Sequence, residues 1–111
     1  MIRFVFALML LLAGFARPAM AAAAAPLQAA DEDIAAFFDE FASTWASFEN
    51  VIYELWNEPL GVYGWDNHIL PHHRKTAEAI RRHDETSLIL AGTPSWCQRV
   101  DEPARAPLAD S

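Results

Sequence analysis

The sequence predicts an α/β fold built from two helices and two parallel strands. Residues 51–56 and 88–92 are short apolar runs with the length and composition of buried strands. Before and between these runs, apolar residues recur at spacings of three and four, which is typical of amphipathic helices. The order of helix, strand, helix and strand favours a parallel pair of strands with a right-handed crossover.

The first 21 residues have the pattern of a secretory signal. Arg3 forms a basic start, residues 4–12 are apolar, and residues 19–21 offer a small-x-small cleavage site. The apolar run is too short for a membrane span, so a retained anchor is the less favoured alternative. We expect cleavage after Ala21 and a secreted or periplasmic protein.

The charge balance excludes some classes of partner. The 111-residue chain carries 8 basic and 15 acidic residues, a net charge of −7, and losing Arg3 and Arg17 with the signal makes it −9. Nucleic acids and anionic membranes need a basic surface, so neither is expected as a partner. A soluble exported protein that acts on a neutral ligand fits this composition better.

Cysteine and histidine usage predicts neither a disulfide nor a metal site. Cys97 is the only cysteine, which rules out an intrachain disulfide, and a small buried residue is its expected role. His68 and His72 have metal-ligand spacing beside His73, but Pro71 disturbs that turn and no further ligand set follows. We expect these histidines at a solvated helix start, and we expect no cofactor.

The first helix is expected near the acidic residues 31–33, because the helix dipole favours negative charge at its N-terminus. Residues 22–32 are predicted to be an alanine-rich, flexible lead-in to a domain spanning residues 33–111. Large apolar residues share one helical stripe, namely Ile34, Phe37, Phe38, Phe41, Trp45 and Phe48. Such an aromatic face needs a partner surface.

The strand at residues 51–56 runs directly into Asn57, Glu58 and Pro59. Pro59 cannot donate to a ladder and keeps Glu58 out of helical geometry, so the strand should stop there. Glu58 then stands where a buried strand emerges into a cleft, which is the usual position of catalytic residues on parallel barrel strands. From the motif alone, a carboxylate that caps the next helix is an open alternative.

The remaining elements are expected in a simple order. A glycine-containing loop at residues 60–67 leads into a helix that starts near Ile69 and ends in the basic residues 81–83. The second strand, residues 88–92, is followed by a loop and by an irregular tail from Asp101 onward.

Four short motifs occur in order along this part of the chain. They are Asn57-Glu58-Pro59, Ile69-Leu70-Pro71, Ile80-Arg81-Arg82-His83-Asp84, and Gly92-Thr93-Pro94-Ser95-Trp96 with Gln98. The series resembles the central part of glycoside hydrolase family 5, and the endoglucanase-type members are the most similar. The resemblance implies a partial, incomplete (β/α)8 TIM barrel with about two parallel strands and two helices.

The resemblance also implies roles for individual residues. Glu58 would be the general acid/base of a retaining glycosidase that hydrolyses O-glycosyl bonds of β-linked polysaccharide or oligosaccharide. Asn57 would hydrogen-bond the sugar 2-hydroxyl group. Trp96 would form a wall for a sugar ring, and a core aromatic under a loop is its alternative role. Glu54, on the same side of the strand as Glu58, is expected to be a buried, hydrogen-bonded acid that supports the site.

The family's nucleophilic glutamate is expected on a strand beyond this segment. Retaining hydrolysis needs two carboxyl groups about 5–5.5 Å apart, and neither Glu85 nor Glu102 stands in a family-like context. We therefore expect a truncated segment without turnover of its own; a catalytically inactive remnant or a carbohydrate-binding fragment is the alternative. Two helices cover only one face of a strand pair, so some large residues should be partly exposed. They are Phe37, Phe41, Trp45 and Trp56.

Overall fold

The computed structural model describes residues 5–6 and 24–109, with side chains from residue 30 onward. Most of the predicted signal, residues 1–4 and 7–21, therefore lies outside the described residues, and its cleavage stays a prediction. Within the described ranges, no helix combines the length and the apolar character that crossing a membrane requires.

Three short strands form one parallel sheet. They are β1 (Val5–Phe6), β2 (Val51–Glu54) and β3 (Leu88–Leu90), in the spatial order β1-β2-β3. Ile52 of β2 pairs with Leu88 of β3, so the parallel pairing predicted from the order of elements is confirmed. β1, which falls in the predicted signal, pairs in parallel with the start of β2.

The helices connect and cover the strands. They are α1 (Ala24–Trp45), α2 (Leu70–Arg81), α3 (Pro94–Cys97) and α4 (Asp101–Arg105), with a π-helical turn, Trp65–Ile69, leading directly into α2. Pro71 lies in the first turn of α2, where a missing N–H costs no helical hydrogen bond. The prediction of an irregular tail from Asp101 onward is wrong at its start, because Asp101–Arg105 form α4.

α1 begins earlier than the sequence analysis predicts. Its first residue is Ala24, so most of the segment predicted as a flexible lead-in is helical. Alanine has the highest helix propensity of any residue, which favours a helix over this alanine-rich stretch. The acidic residues 31–33 consequently lie inside the helix, where Asp31 contacts His72 and Glu32 pairs with Lys75.

α1 and α2 pack together on one face of the sheet. The core between them and β2 consists of buried residues, namely Phe38, Ala42, Val51, Tyr53, Leu55, Ala77 and Ile80. The other face of the sheet has no cover in the described part of the chain, where Leu88 is 57% and Leu90 41% exposed. The expectation that two helices cover only one face of the strand pair is therefore confirmed for the described segment, because both long helices lie on the same side of the sheet.

The partial exposure predicted for the aromatic residues is confirmed. Phe37 and Trp45 are 39% and 38% exposed, and Phe41 and Trp56 are half-buried. On α1 these rings contact one another in series, with 5.8 Å between the ring centroids of Phe37 and Phe41, and Phe41 also contacts Tyr53 of β2 at 6.2 Å.

A buried hydrogen bond joins the central strand to the turn before β3. The Tyr53 hydroxyl donates to Asp84 Oδ2 at 2.9 Å, and Asp84 Oδ1 accepts from the backbone N–H groups of Thr86 and Ser87 at 3.2 and 2.9 Å. Burial raises the pKa of Asp84, but the hydrogen bonds from Ser87, Tyr53 and Thr86 outweigh burial and hold that pKa below its usual value. The ionised carboxylate thus fixes the α2–β3 turn against the core.

Tyr53→Phe should lower the free energy of unfolding by about 1.5–3 kcal/mol, because it removes a hydrogen bond to a charged acceptor. The matched control is Tyr63→Phe, since the Tyr63 hydroxyl is half-exposed and forms no described hydrogen bond. Urea unfolding followed by near-ultraviolet circular dichroism measures both. Equal effects of the two substitutions would show that the Asp84 bond contributes nothing specific.

The unfolding free energy should fall as the pH drops below about 4, the pKa of an aspartate in an unfolded chain. Asp84 has a lowered pKa in the folded state, so its contribution is present above that value and is lost as the carboxylate takes up a proton. Asp84→Asn should flatten this acid dependence, whereas Glu85→Gln at the exposed neighbouring position should leave it unchanged. An unaltered slope in Asp84→Asn would contradict the assignment.

Candidate active site

The candidate site lies at the carboxyl ends of β2 and β3, where two loops leave the sheet side by side. The Leu55 N–H donates to the Leu90 carbonyl at 3.0 Å, which extends the pairing one residue beyond β2. Further along, the Trp96 N–H donates to the Pro59 carbonyl at 2.9 Å. These two hydrogen bonds bracket Glu58 on one loop and place Trp96 beside that loop on the other.

Gly92 allows the two loops to meet. A Cβ atom at this position would come within 2.2 Å of the Trp56 carbonyl oxygen and 2.9 Å of Pro59 Cδ. The first distance is far inside van der Waals contact, so any side chain at Gly92 would force the loops apart. The glycine of the Gly-Thr-x-x-Trp motif is thus required by close backbone approach.

Glu58 has an unusual backbone conformation. Its φ angle is 49°, in the left-handed region that non-glycine residues seldom adopt. Such a conformation costs about 1–3 kcal/mol and persists only where the surroundings impose it. The rigid ring of Pro59 and the hydrogen bond from Trp96 to the Pro59 carbonyl supply that constraint.

The carboxylate of Glu58 is exposed to solvent, as is the side chain of Asn57. Glu58 forms no hydrogen bond or ion pair with another described residue, so its carboxyl group is free to contact a ligand. Glu54 differs from its prediction: it is half-buried on the uncovered face of β2 and has no hydrogen-bond partner among the described residues.

The loop after β3 contains three consecutive left-handed residues. Ser95, Trp96 and Cys97 have φ angles of 56°, 56° and 62°. This turn directs the Trp96 ring outward, where it is 55% exposed, rather than into the described core. Cys97 is exposed as well, so its predicted burial is wrong. The left-handed turn is the reason, because it rotates these side chains away from the sheet.

Two histidines that were predicted to be solvated are buried at this site. His72 and His73 are 2% and 0% exposed. His72 Nε2 lies 3.3 Å from the Leu55 carbonyl oxygen, and its Nδ1 lies 2.7 Å from the carboxylate of Asp31. His73 Nε2 donates to the Gly92 carbonyl at 2.8 Å. A sequence signal for His73 existed, since it lies on the apolar stripe of α2 three or four residues from Thr76 and Ala77.

Metal binding has no support in the described ranges, which contain no group of three histidine, cysteine, aspartate or glutamate side chains arranged to hold an ion. His68 is exposed, and its Nδ1 accepts a hydrogen bond from the Gly64 N–H at 3.2 Å. The arrangement at the strand ends therefore presents one solvent-facing carboxylate, one amide and one aromatic ring.

Gly92→Ala should destabilise the chain by about 1–3 kcal/mol, the usual cost of forcing extra atoms into a filled space. Gly64→Ala is the matched control: a Cβ there would lie 4.0 Å from its nearest neighbour, and Gly64 has an ordinary φ of −73°. Thermal unfolding of both variants measures the difference. Equal midpoints would mean that the loops do not approach as described.

Comparison with known proteins identifies the family. Residues 18–111 match the family model described as Cellulase (glycosyl hydrolase family 5). Endoglucanase Z from Dickeya dadantii is 49% identical over 72 residues, which cover 65% of this chain and 17% of the endoglucanase. The chain thus spans about a sixth of the length of this curated relative.

Solved structures agree with this match. A structure from Cytophaga hutchinsonii superposes with a TM-score of 0.69 at 36% identity, covering 72% of this chain and 26% of the other. The catalytic domain of a Thermobifida fusca endoglucanase in complex with cellotetraose gives a TM-score of 0.65 at 30% identity, covering 77% and 30%. The fold predicted from the motifs, part of a (β/α)8 barrel, is confirmed. The chain belongs to glycosyl hydrolase family 5.

Proposed function

We propose that Glu58 is the general acid/base of a retaining endoglucanase-type glycosidase that hydrolyses O-glycosyl bonds of β-linked glucan. The observation that carries this proposal is the position of Glu58: a solvent-facing carboxylate held in a left-handed conformation where the central strand ends. Strained residues that the surroundings hold in place cluster at active sites, which favours a catalytic role over helix capping. The names of the similar endoglucanases support the same class of reaction.

The chemistry requires a group that first protonates the departing glycosidic oxygen and then removes a proton from water. A carboxyl group can perform both steps if it is free to change its protonation state. Glu58 faces solvent and has no ion-pair partner among the described residues, so its carboxyl group is accessible to a bound glycoside. The nucleophilic carboxylate of the proposed mechanism belongs to another strand of the barrel.

Asn57 and Trp96 complete the proposed binding site. Asn57 precedes the acid/base directly and is exposed, so its amide can hydrogen-bond the 2-hydroxyl group of the sugar. Trp96 stands beside the Glu58 loop through its N–H bond to Pro59 and offers an exposed aromatic face. An aromatic face packs against the apolar side of a pyranose ring, and the cellotetraose bound by the Thermobifida fusca endoglucanase supports a glucan as the ligand.

Export is part of the proposal. It is supported by the basic start, apolar run and small-residue cleavage pattern of residues 1–21. A polymeric glucan cannot enter a cell intact. An enzyme that cleaves bonds within the polymer chain therefore has to act outside the cytoplasm.

A hybrid enzyme tests the role of Glu58. The 72 residues of this chain that align with Endoglucanase Z replace the aligned stretch of that protein, which supplies the remaining sequence. Glu58→Gln in this hybrid should lower kcat on soluble cellulose by about 10²–10⁴-fold, the usual contribution of general acid–base catalysis. The loss should be smaller for the first step on an aryl β-cellobioside, because a good leaving group needs little protonation.

Glu85→Gln provides the control, since Glu85 is exposed in the turn before β3 and has no proposed role. It should leave kcat unchanged. A hybrid that retains its activity with Gln at position 58 would refute the proposal. Equal losses on both substrates would also refute it, because they would indicate a role other than proton transfer.

Carbohydrate binding without turnover is a second candidate function, and the exposed ring of Trp96 favours it. Titration of the 111-residue chain with cellotetraose, monitored by tryptophan fluorescence, separates the two candidate functions. Binding that Trp96→Ala abolishes and Glu58→Gln preserves, together with an inactive hybrid, would favour the binding role.

A further inference from the structure

His73 is the residue on which the two loops of the site converge. It lies on the sheet-facing side of α2 and is fully buried. Its Nε2–H donates to the carbonyl of Gly92 at 2.8 Å, across 19 residues of sequence. The ring packs edge-on against Trp65 with 5.8 Å between centroids, and Trp65 is itself fixed by its Nε1–H bond to the Ala106 carbonyl at 2.7 Å.

The protonation of His73 suits a fixed hydrogen bond. Burial lowers its pKa to about 4, so the ring is neutral near pH 7. The proton of a neutral ring resides on Nε2 if that atom donates to a carbonyl, which leaves Nδ1 with a lone pair. Nδ1 is buried and has no partner among the described residues, as this tautomer allows. A charged ring would bury an unpaired N–H at the same place.

Gly92 transmits the position of His73 to the Glu58 loop. The carbonyl side of Gly92 is held by the histidine, and its Cα faces Trp56 and Pro59 with no room for even one added carbon atom. A shift of Gly92 toward the loop is therefore blocked by contact. A shift away from the loop breaks the bond to His73.

Pro59, the residue directly after Glu58, thus receives its position from both sides. Pro59 contacts Gly92 through its ring and accepts the Trp96 N–H through its carbonyl. We propose that His73 is a positioning residue: by anchoring the Gly92 carbonyl from α2, it fixes the Glu58 loop relative to Trp96. For catalysis this inference rests on the proposed function, whereas its structural content stands by itself.

The ring protons of His73 provide the first test, made by ¹⁵N nuclear magnetic resonance on the unmutated 111-residue chain. We expect Nε2 to carry the proton and Nδ1 to be unprotonated at pH 7. A proton on Nδ1 would overturn the proposal, because Nε2 could not then donate to Gly92.

Amide hydrogen exchange provides the second test. His73→Leu removes the donor, whereas His73→Gln retains an N–H at similar reach. Protection of the Trp96 N–H should fall about tenfold in His73→Leu, as expected for the loss of one hydrogen bond, and should recover in His73→Gln. Ala77 and Ile80, in the α2 core, should keep their protection in both variants.

His83→Gln is the control, since the side chain of this exposed histidine just after α2 bonds to Asp39 and to no other residue in the described ranges. It should leave the exchange of Trp96 unchanged. Unaltered protection of Trp96 in His73→Leu would overturn the proposal, and so would a parallel loss at Ala77 and Ile80, which would indicate general destabilisation. If His73→Leu does not fold, the ring protons and the His73→Gln variant decide the question.

The two proposals fail in different experiments. Retained activity of the Glu58→Gln hybrid would refute the acid/base assignment and leave the exchange result standing. If the exchange protection of the Trp96 N–H does not depend on the residue at position 73, the positioning role is refuted and the acid/base assignment stays intact.

Discussion

The close approach of Gly92 to the Trp56 carbonyl and the Pro59 ring is the constraint on which the site depends. This approach is possible because residue 92 has no side chain. It brings the two loops closer together than they could come if residue 92 carried a Cβ atom. Every feature of the site lies within a few residues of this contact. Glu58 is held between Trp56 and Pro59, and Trp96 bonds to the Pro59 carbonyl. The left-handed conformations on both loops follow from joining them so tightly.

The same arrangement explains why a short segment can carry a defined site. α1 and α2 cover only one face of the sheet, and the opposite face is open in the described part. The site lies at the end of the sheet, where backbone hydrogen bonds and a buried histidine supply the local order. The described segment leaves two apolar surfaces open: the sheet face at Leu88 and Leu90, and the exposed rings of Phe37 and Trp45 on α1. In a complete barrel, other elements cover surfaces of this kind.

Local patterns predicted the elements well. The apolar runs at residues 51–56 and 88–92 specify the position of both strands, and the order of the elements specifies parallel pairing. Long-range partners were beyond such patterns. His73 is buried because of a carbonyl 19 residues away, and His72 contacts an aspartate 41 residues away. α1 starts before the acidic residues 31–33 because the high helix propensity of alanine extends the helix to Ala24, so local charge does not mark its beginning.

We propose that the two loops hold Glu58 in the position that a general acid/base requires. The most direct measurement is a crystal structure of the hybrid enzyme, with cellotetraose bound across the cleavage point. We expect the Glu58 carboxyl group to lie within about 2.6–3.2 Å of the glycosidic oxygen, the reach of a proton-transferring hydrogen bond. We also expect a sugar ring to pack against Trp96. A carboxyl group turned away from that oxygen, with the sugar bound elsewhere on the barrel, would contradict the proposed role of Glu58.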